Sequence, residues 1–371
     1  MFSIFFLLFF FQLITTNIVK FKVKEINGRY NVIIPIGTPL VNASFIMDLE
    51  IEHNCGSLSL FPEGKSSSLF KVGSGFKSFA NGQIINFEIV SERIYLEDSK
   101  PYYNFNFYLF NEKEKNILAF SPLIKEERYS LVYSLLLDKK IDQAKFGIIK
   151  KNFLERELII GGFPEEITQK KKSLQCKIIP GRSWSCRLKK IYFGNKVFDN
   201  VDKSSFQTNV HSIIAPKNFY EYMIKEYFEE KIKDNLCSLS SEFIECYCSK
   251  IKNFPGISFL FENILFELDE TDLFISFEKK CRFIVEKNEK DNKWIFGISF
   301  IQKYDIEFDY NSGNITFFTD NEVSFVNGIY KEKKNKNFVI SIIIVLEYSL
   351  FLFMIYSIYI KLRIKNKNLN I

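Results

Sequence analysis

Few side chains in this sequence could do chemistry, and most common catalytic sets are missing. The only two histidines, His53 and His211, have no cysteine at the spacing of a zinc site. Gly73-Ser74-Gly75 lacks the pattern of a nucleophile elbow and predicts a turn. A glycine-rich phosphate loop is also absent from the sequence. We therefore expect no metal and no cofactor, and carboxylates are the remaining candidates for catalysis.

A three-part pattern occurs once in each half of the chain. An extended segment ends in a polar centre, as Phe45-Ile46-Met47-Asp48 in the first half and Ser205-Phe206-Gln207-Thr208 in the second. A later segment has the form apolar-apolar-small, as Ile117-Leu118-Ala119 and then Ile295-Phe296-Gly297. A repeat of this kind predicts two structurally related lobes.

Short runs of β-branched and aromatic residues, separated by turn signals, fill the chain from Val19 to about Phe325. This spacing predicts an antiparallel, all-β architecture rather than alternating strands and helices. Helical periodicity is confined to Ser130–Leu137 and Lys217–Lys233. The segment from Glu322 to Asn337 is polar and basic, has no periodic pattern, and is interpreted as a stalk.

The order of these segments resembles the pepsin-like (A1-type) aspartic protease family from about Tyr30 to Phe318. In the first half, Tyr30 to Pro39 resembles the opening strand and Gly-Thr-Pro turn of the family, and Asp48 begins its catalytic triplet. Val72-Gly73-Ser74-Gly75 resembles the flap tip, Ile117 to Pro122 (ILAFSP) the segment that follows, and Gly161-Gly162 a strand-ending Gly pair. In the second half, Ala215-Pro216 resembles the segment after the second catalytic loop, and Cys248 to Cys281 resembles the disulfide loop. Trp294 to Gly297 and Tyr304 to Asp309 resemble the two closing motifs.

The resemblance implies a chemistry that this sequence lacks in part. Family members hold two carboxylates face to face, where they share one proton, so that one activates water while the other protonates the substrate carbonyl. The first triplet here is Asp48-Leu49-Glu50, without the Thr and Gly of the family. The second is Gln207-Thr208-Asn209, and the amide of Gln207 can neither share a proton nor act as a base. The resemblance therefore implies Asp48 as the first dyad position and Gln207 as a non-catalytic second position opposite it.

Other residues could still take part in chemistry. Asp199 or Asp202 would be the partner of Asp48 if the second loop had a different register, although a solvated surface role is the simpler interpretation. His53 and His211 lie near the two triplets in the sequence and could approach the cleft, or could be bonded to backbone at loop ends.

The seven cysteines fit an oxidising compartment, and their odd number leaves at least one thiol outside internal disulfides. The resemblance implies a disulfide between Cys248 and Cys281, while the pairing of the other five stays open. Sequons at Asn42 and Asn314, both in turn-like contexts, predict glycosylation.

The two ends of the chain carry apolar segments. The first thirteen residues, MFSIFFLLFFFQL, have the length of a signal-peptide core. Residues 338–360 are apolar apart from Glu347 and are long enough to cross a bilayer. Glu347 would be costly there unless it is protonated or paired with a partner helix. The formal charge of +6 is spread over short Lys runs without a nucleic-acid-binding motif, so no nucleic acid partner is expected.

Together these features predict an all-β, bilobal pepsin-like fold with short helices and a C-terminal transmembrane helix. The predicted parts are a signal peptide (1–17), two lobes (18–170 and 171–325), a stalk (326–337), a transmembrane helix (338–360) and a cytosolic tail (361–371). The expected function is that of a single-pass pseudoprotease in the secretory pathway or at the cell surface, binding an extended peptide or protein in the interlobe cleft. The alternatives are an active membrane-bound aspartic endopeptidase with an unrecognised dyad, and a structural ectodomain with a closed cleft.

Overall fold

The structure is a computed structural model of the 371-residue chain. It describes residues 17–57, 60, 66–78, 84–96, 101–110, 116–123, 129–152, 155–199, 204–240, 243–252, 254–289, 292–320, 322–326 and 329–333. The predicted signal peptide (apart from its last residue), transmembrane helix and cytosolic tail lie outside the described residues. Within the described ranges, no helix combines the length and the apolar character that a bilayer span requires.

Strands dominate the described chain, as the alternating sequence predicts. Those of the first half are β1 (Val19–Ile26), β2 (Arg29–Ile36), β3 (Val41–Asp48), β4 (Cys55–Ser57), β5 (Phe70–Ser78), β6 (Ile84–Tyr95), β7 (Pro101–Phe110), β8 (Ile117–Ala119), β9 (Lys145–Lys150) and β10 (Arg156–Ile160). Those that follow are β11 (Lys172–Lys177), β12 (Ser185–Cys186), β13 (Leu188–Phe193), β14 (Lys196–Asp199), β15 (Ser204–Phe206), β16 (Ile213–Pro216), β17 (Cys237–Leu239), β18 (Ile244–Tyr247), β19 (Ile257–Phe261), β20 (Ile264–Leu268), β21 (Phe274–Phe277), β22 (Lys280–Phe283), β23 (Val285–Asn288), β24 (Trp294–Phe296), β25 (Asp305–Asp309), β26 (Asn314–Thr319), β27 (Glu322–Val326) and β28 (Ile329–Lys333).

The helices are short, and both predicted helical stretches are confirmed. They are α1 (Leu131–Leu137), α2 (Glu165–Lys170), α3 (Lys217–Met223), α4 (Glu229–Lys233), α5 (Glu270–Leu273) and α6 (Ile298–Ile301). A π-helical turn over Ile224–Phe228 joins α3 to α4, so the amphipathic stretch from Lys217 to Lys233 is one continuous helical segment. Its apolar stripe, which includes Phe219, Met223 and Phe228, is buried in the core.

A thirteen-stranded sheet joins the two halves of the chain. Strand β25, from the end of the second half, pairs with β9 of the first half, with Ile306 opposite Ile148. Strands β26 and β11 extend the sheet beyond β25. Phe146 of β9 and Phe308 of β25 stack with ring centroids 4.8 Å apart, so the seam between the halves is an apolar core. The predicted boundary at residue 170 therefore does not separate two independent sheets.

The predicted duplication is visible in the pairing of the strands. In the first half β3 lies parallel to β8, with Asp48 opposite Ala119. In the second half β15 lies parallel to β24, with Phe206 opposite Phe296. The two polar centres therefore follow equivalent strands, each braced by the apolar-apolar-small segment of its own half.

Within the segment interpreted as a stalk, residues 322–326 and 329–333 form strands. Strands β27 and β28 pair as a hairpin, and β28 also lies parallel to β20, with Tyr330 opposite Ile264. Val323 and Phe325 of β27 alternate with polar residues, but this run is only five residues long and is followed by a Lys-rich segment, so the interpretation as a stalk missed it. The β structure of the second half thus extends to Lys333, past the predicted end of the lobe at residue 325.

Three disulfides form among the described residues: Cys176–Cys186, Cys237–Cys246 and Cys248–Cys281. The last of these confirms the pairing that the family resemblance implied. The seventh cysteine, Cys55, lies outside these disulfides, and its thiol contacts the carbonyl oxygen of His53 at 3.3 Å.

Candidate active site

Asp48 is the last residue of β3 and its side chain is buried, with 7% of its surface exposed. The apolar residues that alternate before it, Phe45 and Met47, point into the core, so the strand is held firmly in place. Asp48 Oδ1 accepts hydrogen bonds from the main-chain N–H groups of Glu50 (2.8 Å) and Ile51 (3.0 Å). The carboxylate is therefore oriented by the loop that follows it.

The second loop starts where β15 ends. Gln207 is buried, and its main-chain N–H donates to the Phe296 carbonyl oxygen at 3.0 Å. The first half has a related main-chain bond to its own small-residue segment, because the N–H of Phe120 donates to the Asp48 carbonyl oxygen at 2.8 Å. Each loop is thus anchored by the segment that braces its strand.

The two loops meet through Thr208. Its Oγ1 donates a 2.7 Å hydrogen bond to the main-chain carbonyl oxygen of Met47, the residue before Asp48. In the first loop the corresponding position is Leu49, which is buried and has no hydroxyl to donate in return. The contact between the loops keeps one of its two threonine links, and it supports the predicted register, in which Gln207 precedes the linking Thr208 as Asp48 precedes Leu49.

The side chain that reaches Asp48 across the junction is Asn209 rather than Gln207. Asn209 Nδ2 donates to Asp48 Oδ2 over 2.7 Å, while Asn209 Oδ1 is buried without a hydrogen-bond partner. In the sequence, Asn209 is only the last residue of the second triplet, and no contact was predicted for it. Asn209 stands where the family has a Gly, so the second loop has a side chain at the point where it meets the first.

All hydrogen bonds to the Asp48 carboxylate in the described part of the chain come from N–H groups. The neighbouring carboxylate, Glu50, forms an ion pair with Lys293 of the second half, with 3.6 Å between Oε1 and Nζ. Glu50 therefore has a cation for its partner. The arrangement presents one carboxylate and one amide, and such a pair cannot share a proton in the way that two carboxylates can.

The comparisons with known proteins agree with this geometry. The family model described as eukaryotic aspartyl protease matches residues 46–319, which is most of the chain. The chain belongs to the eukaryotic aspartyl protease family. A search of curated protein sequences finds no significant match to this chain.

Solved structures show the same pepsin-like fold at low sequence identity. Basic 7S globulin from soybean is 10% identical and superposes with a TM-score of 0.66, over 82% of this chain and 95% of its own. Conglutin gamma, a basic 7S globulin from lupine seeds, gives the same identity, TM-score and coverage.

The flap tip predicted for this aspartyl protease family member is in the wrong place. Val72, Gly73, Ser74 and Gly75 lie within β5, which pairs with β6 from Phe70 to Ser78, so they are not at a turn. A Cβ on Gly75 would come within 2.8 Å of the Phe87 ring on the paired strand. Gly75 therefore leaves space for the Phe87 ring, whereas its sequence pattern predicted a turn.

The two histidines of this aspartyl protease family member make different contacts. His211 Nδ1 lies 3.0 Å from Glu25 Oε1, so it contacts a carboxylate and not backbone. That contact holds the pKa of Glu25 below its usual value. The His53 ring packs edge-on against Tyr108, with centroids 5.0 Å apart.

The remaining predicted site residues lie apart from the Asp48 contacts. Asp199 is exposed on β14 and pairs with Lys190 at 3.1 Å, so it is not the partner of Asp48. Asp202 lies outside the described residues. The sequon residues Asn42 and Asn314 lie in β3 and β26 rather than in turns, and Asn42 is exposed. Glycosylation at both stays a prediction.

Proposed function

We propose that this chain is a catalytically inactive member of the eukaryotic aspartyl protease family that binds an extended peptide or protein segment between its lobes. The observation that carries the proposal is the hydrogen bond from the Asn209 amide to Asp48. Peptide-bond hydrolysis in this family requires a second carboxylate, at the position of Gln207, to share the proton with Asp48 and act as acid and base, whereas the second loop offers Asp48 an amide. A positioned acid–base group contributes about 10²–10⁴ to a rate, and here the pair itself is lost.

Several features support retained binding. The two loops still meet through Thr208 and Met47, so the lobes keep the arrangement that makes a cleft in this family. Strand β5 is the outermost strand of the thirteen-stranded sheet, and its Phe70 and Val72 side chains are 69% and 56% exposed. An edge strand with exposed apolar side chains can accept an extended peptide by main-chain hydrogen bonding.

The proposal includes the cellular setting. The apolar segments at both ends of the sequence favour a signal peptide and a single C-terminal membrane span, with the folded part in the lumen or outside the cell. The disulfides fit that oxidising setting. Glu347, within the proposed span, would be the contact point for a membrane partner.

The test uses the full-length protein, purified in a nonionic detergent, with a library of unmodified peptides at about pH 3 to 6, the range in which an aspartic dyad works. Mass spectrometry detects cleavage, and fluorescence anisotropy detects binding of labelled peptides and of a statine-type transition-state mimic. Active pepsin is the positive control for cleavage. Saturable binding without cleavage is the expected result.

An Asp48→Asn variant makes the result interpretable. Cleavage that the mimic inhibits and that disappears in Asp48→Asn would show an active endopeptidase and overturn the proposal. Cleavage that persists in Asp48→Asn would come from a contaminating protease. If neither binding nor cleavage occurs while pepsin is active, the protein is a structural ectodomain and the proposal is wrong.

A further inference from the structure

A cavity of about 850 Å³ lies away from Asp48, beside the ends of β1, β9 and β10 and the turn after α6. Its volume is within the range of small-molecule sites, about 300–1,000 Å³. No residue of the two triplets lines this cavity, so it is distinct from the contact between Asp48 and Asn209. The main-chain N–H of Tyr30, in its wall, donates to the Thr208 carbonyl oxygen at 2.9 Å.

The wall of this cavity contains a guanidinium group that is held in place. Arg156 Nη2 donates to the Gln302 carbonyl oxygen at 2.9 Å. The guanidinium carbon also lies 5.9 Å from the centre of the Tyr30 ring. Arg156 lines the cavity and is only partly buried, so the wall carries a positive charge in a fixed position.

The residues around the cavity are predominantly basic. Six basic residues line it against three acidic ones, a formal excess of three positive charges. Two of the acids are already engaged, Glu157 with Lys151 at 3.0 Å and Glu25 with His211 at 3.0 Å. Among the described residues, no carboxylate lies within ion-pair distance of three lining lysines, Lys22, Lys24 and Lys150.

We propose that this cavity binds a small anion, whose carboxylate or phosphate oxygens pair with the Arg156 guanidinium group while the lysines balance its charge. A fixed guanidinium group suits both head groups, because its planar N–H groups match the geometry of either oxyanion. An excess of positive charge in a concave site attracts anions over cations.

The experiment titrates the full-length protein in nonionic detergent with citrate and, separately, with pyrophosphate, by isothermal titration calorimetry. Sodium chloride keeps the ionic strength equal in all samples, because nonspecific attraction depends on salt. Saturable binding of at least one probe is expected, and the tighter probe identifies the head group. Arg156→Gln should weaken that binding about tenfold or more, since it removes a charged donor. Arg187→Gln, which removes an exposed arginine elsewhere, should change it less than about twofold.

A second variant and its control keep the test valid if Arg156→Gln does not fold. Lys22 and Lys24 are exposed on β1, so the double variant Lys22→Gln/Lys24→Gln should fold and bind the probe more weakly. The matched control is Lys189→Gln/Lys196→Gln, two exposed lysines on β13 and β14. Absence of saturable binding by both probes would overturn the proposal. So would binding that the lining variants and their controls weaken equally.

Discussion

Asn209 donates a hydrogen bond to Asp48 across the junction of the two lobes, with 2.7 Å between Asn209 Nδ2 and Asp48 Oδ2. The bond joins the one remaining dyad carboxylate to the loop that would supply its partner. An amide donor leaves the Asp48 oxygens without a proton to share, but it gives them a strong, partly buried hydrogen bond. The junction is thus held by a hydrogen bond between an amide and a carboxylate, and not by a proton shared between two carboxylates.

Asn209→Asp should make stability depend on pH. The variant places a second carboxylate beside Asp48, and two close carboxylates cannot both ionise without cost. We expect a loss of about 1–3 kcal/mol in unfolding free energy at about pH 7, most of it recovered at about pH 4, where the pair can hold a proton. Urea unfolding at both values measures this. Asn218→Asp, an exposed position in α3, is the control, and equal losses at both pH values in Asn209→Asp would contradict the prediction.

Thr208→Val should weaken the contact between the loops. The variant keeps the shape of the side chain but removes the buried hydroxyl that donates to Met47, so we expect a loss of about 1–3 kcal/mol by urea unfolding. Thr208→Ser keeps the hydroxyl and should cost less, about the value of one buried methyl group. A Thr208→Val protein as stable as the wild type would show that this bond contributes nothing to the assembly of the lobes.

Gly297→Ala should destabilise the second lobe. A Cβ at Gly297 would lie 2.3 Å from the Ser212 carbonyl oxygen and 2.6 Å from that of Val210, so the loop after Gln207 must move. Overpacking of this kind costs about 1–3 kcal/mol or more. Gly181→Ala is the control, since the nearest atom to its Cβ would be 4.0 Å away. Thermal unfolding compares the two variants, and equal midpoints would contradict the prediction.

Glu25→Gln should remove an acid-sensitive part of the stability. The contact with His211 holds the pKa of Glu25 below 4.5, so its contribution is present above that value and is lost as the pH falls through the folded-state pKa. Because the side chains of His211 and Glu25 are 31% and 37% exposed, the contribution is expected to be below about 1 kcal/mol.

The measurement is the difference in unfolding free energy between wild type and Glu25→Gln, at about pH 6 and about pH 3. The difference should shrink toward zero at the lower value. Glu230→Gln, an exposed carboxylate on α4, is the matched control and should show no such change. A difference that grows on acidification would contradict the assignment of the pKa shift to the His211 contact.

The sequence predicted those parts of the site that depend on local pattern. Asp48 and Gln207 each follow a short, buried extended run, and the repeat in the sequence places both in equivalent positions. The contact of Asn209 with Asp48 was not predictable in the same way, because it depends on the distance between two loops that lie far apart in the chain. A pattern within one loop carries no information on that distance.

The flap and the basic cavity show the same limit. The glycines around Ser74 were interpreted as a turn because glycine favours turns, but Gly75 leaves room for Phe87 on the neighbouring strand. Arg156 and Tyr30 come together through strand pairing, since Val23 of β1 lies opposite Arg156 of β10, and Glu25 of the same strand lies opposite Tyr30 of β2. Neighbours across a sheet become visible only when the register of every strand is known.

The pairing of β9 with β25 also bears on how the protein is made. The main-chain N–H of Lys150 in β9 donates to the Asp305 side chain, a partner 155 positions further along the chain. During synthesis, an edge of the first lobe therefore stays open until almost the whole second lobe has left the ribosome, and an open edge invites pairing with other chains. The first lobe therefore completes its sheet late in synthesis, and the exposed edge of β9 is the place where a nascent chain would be open to mispairing.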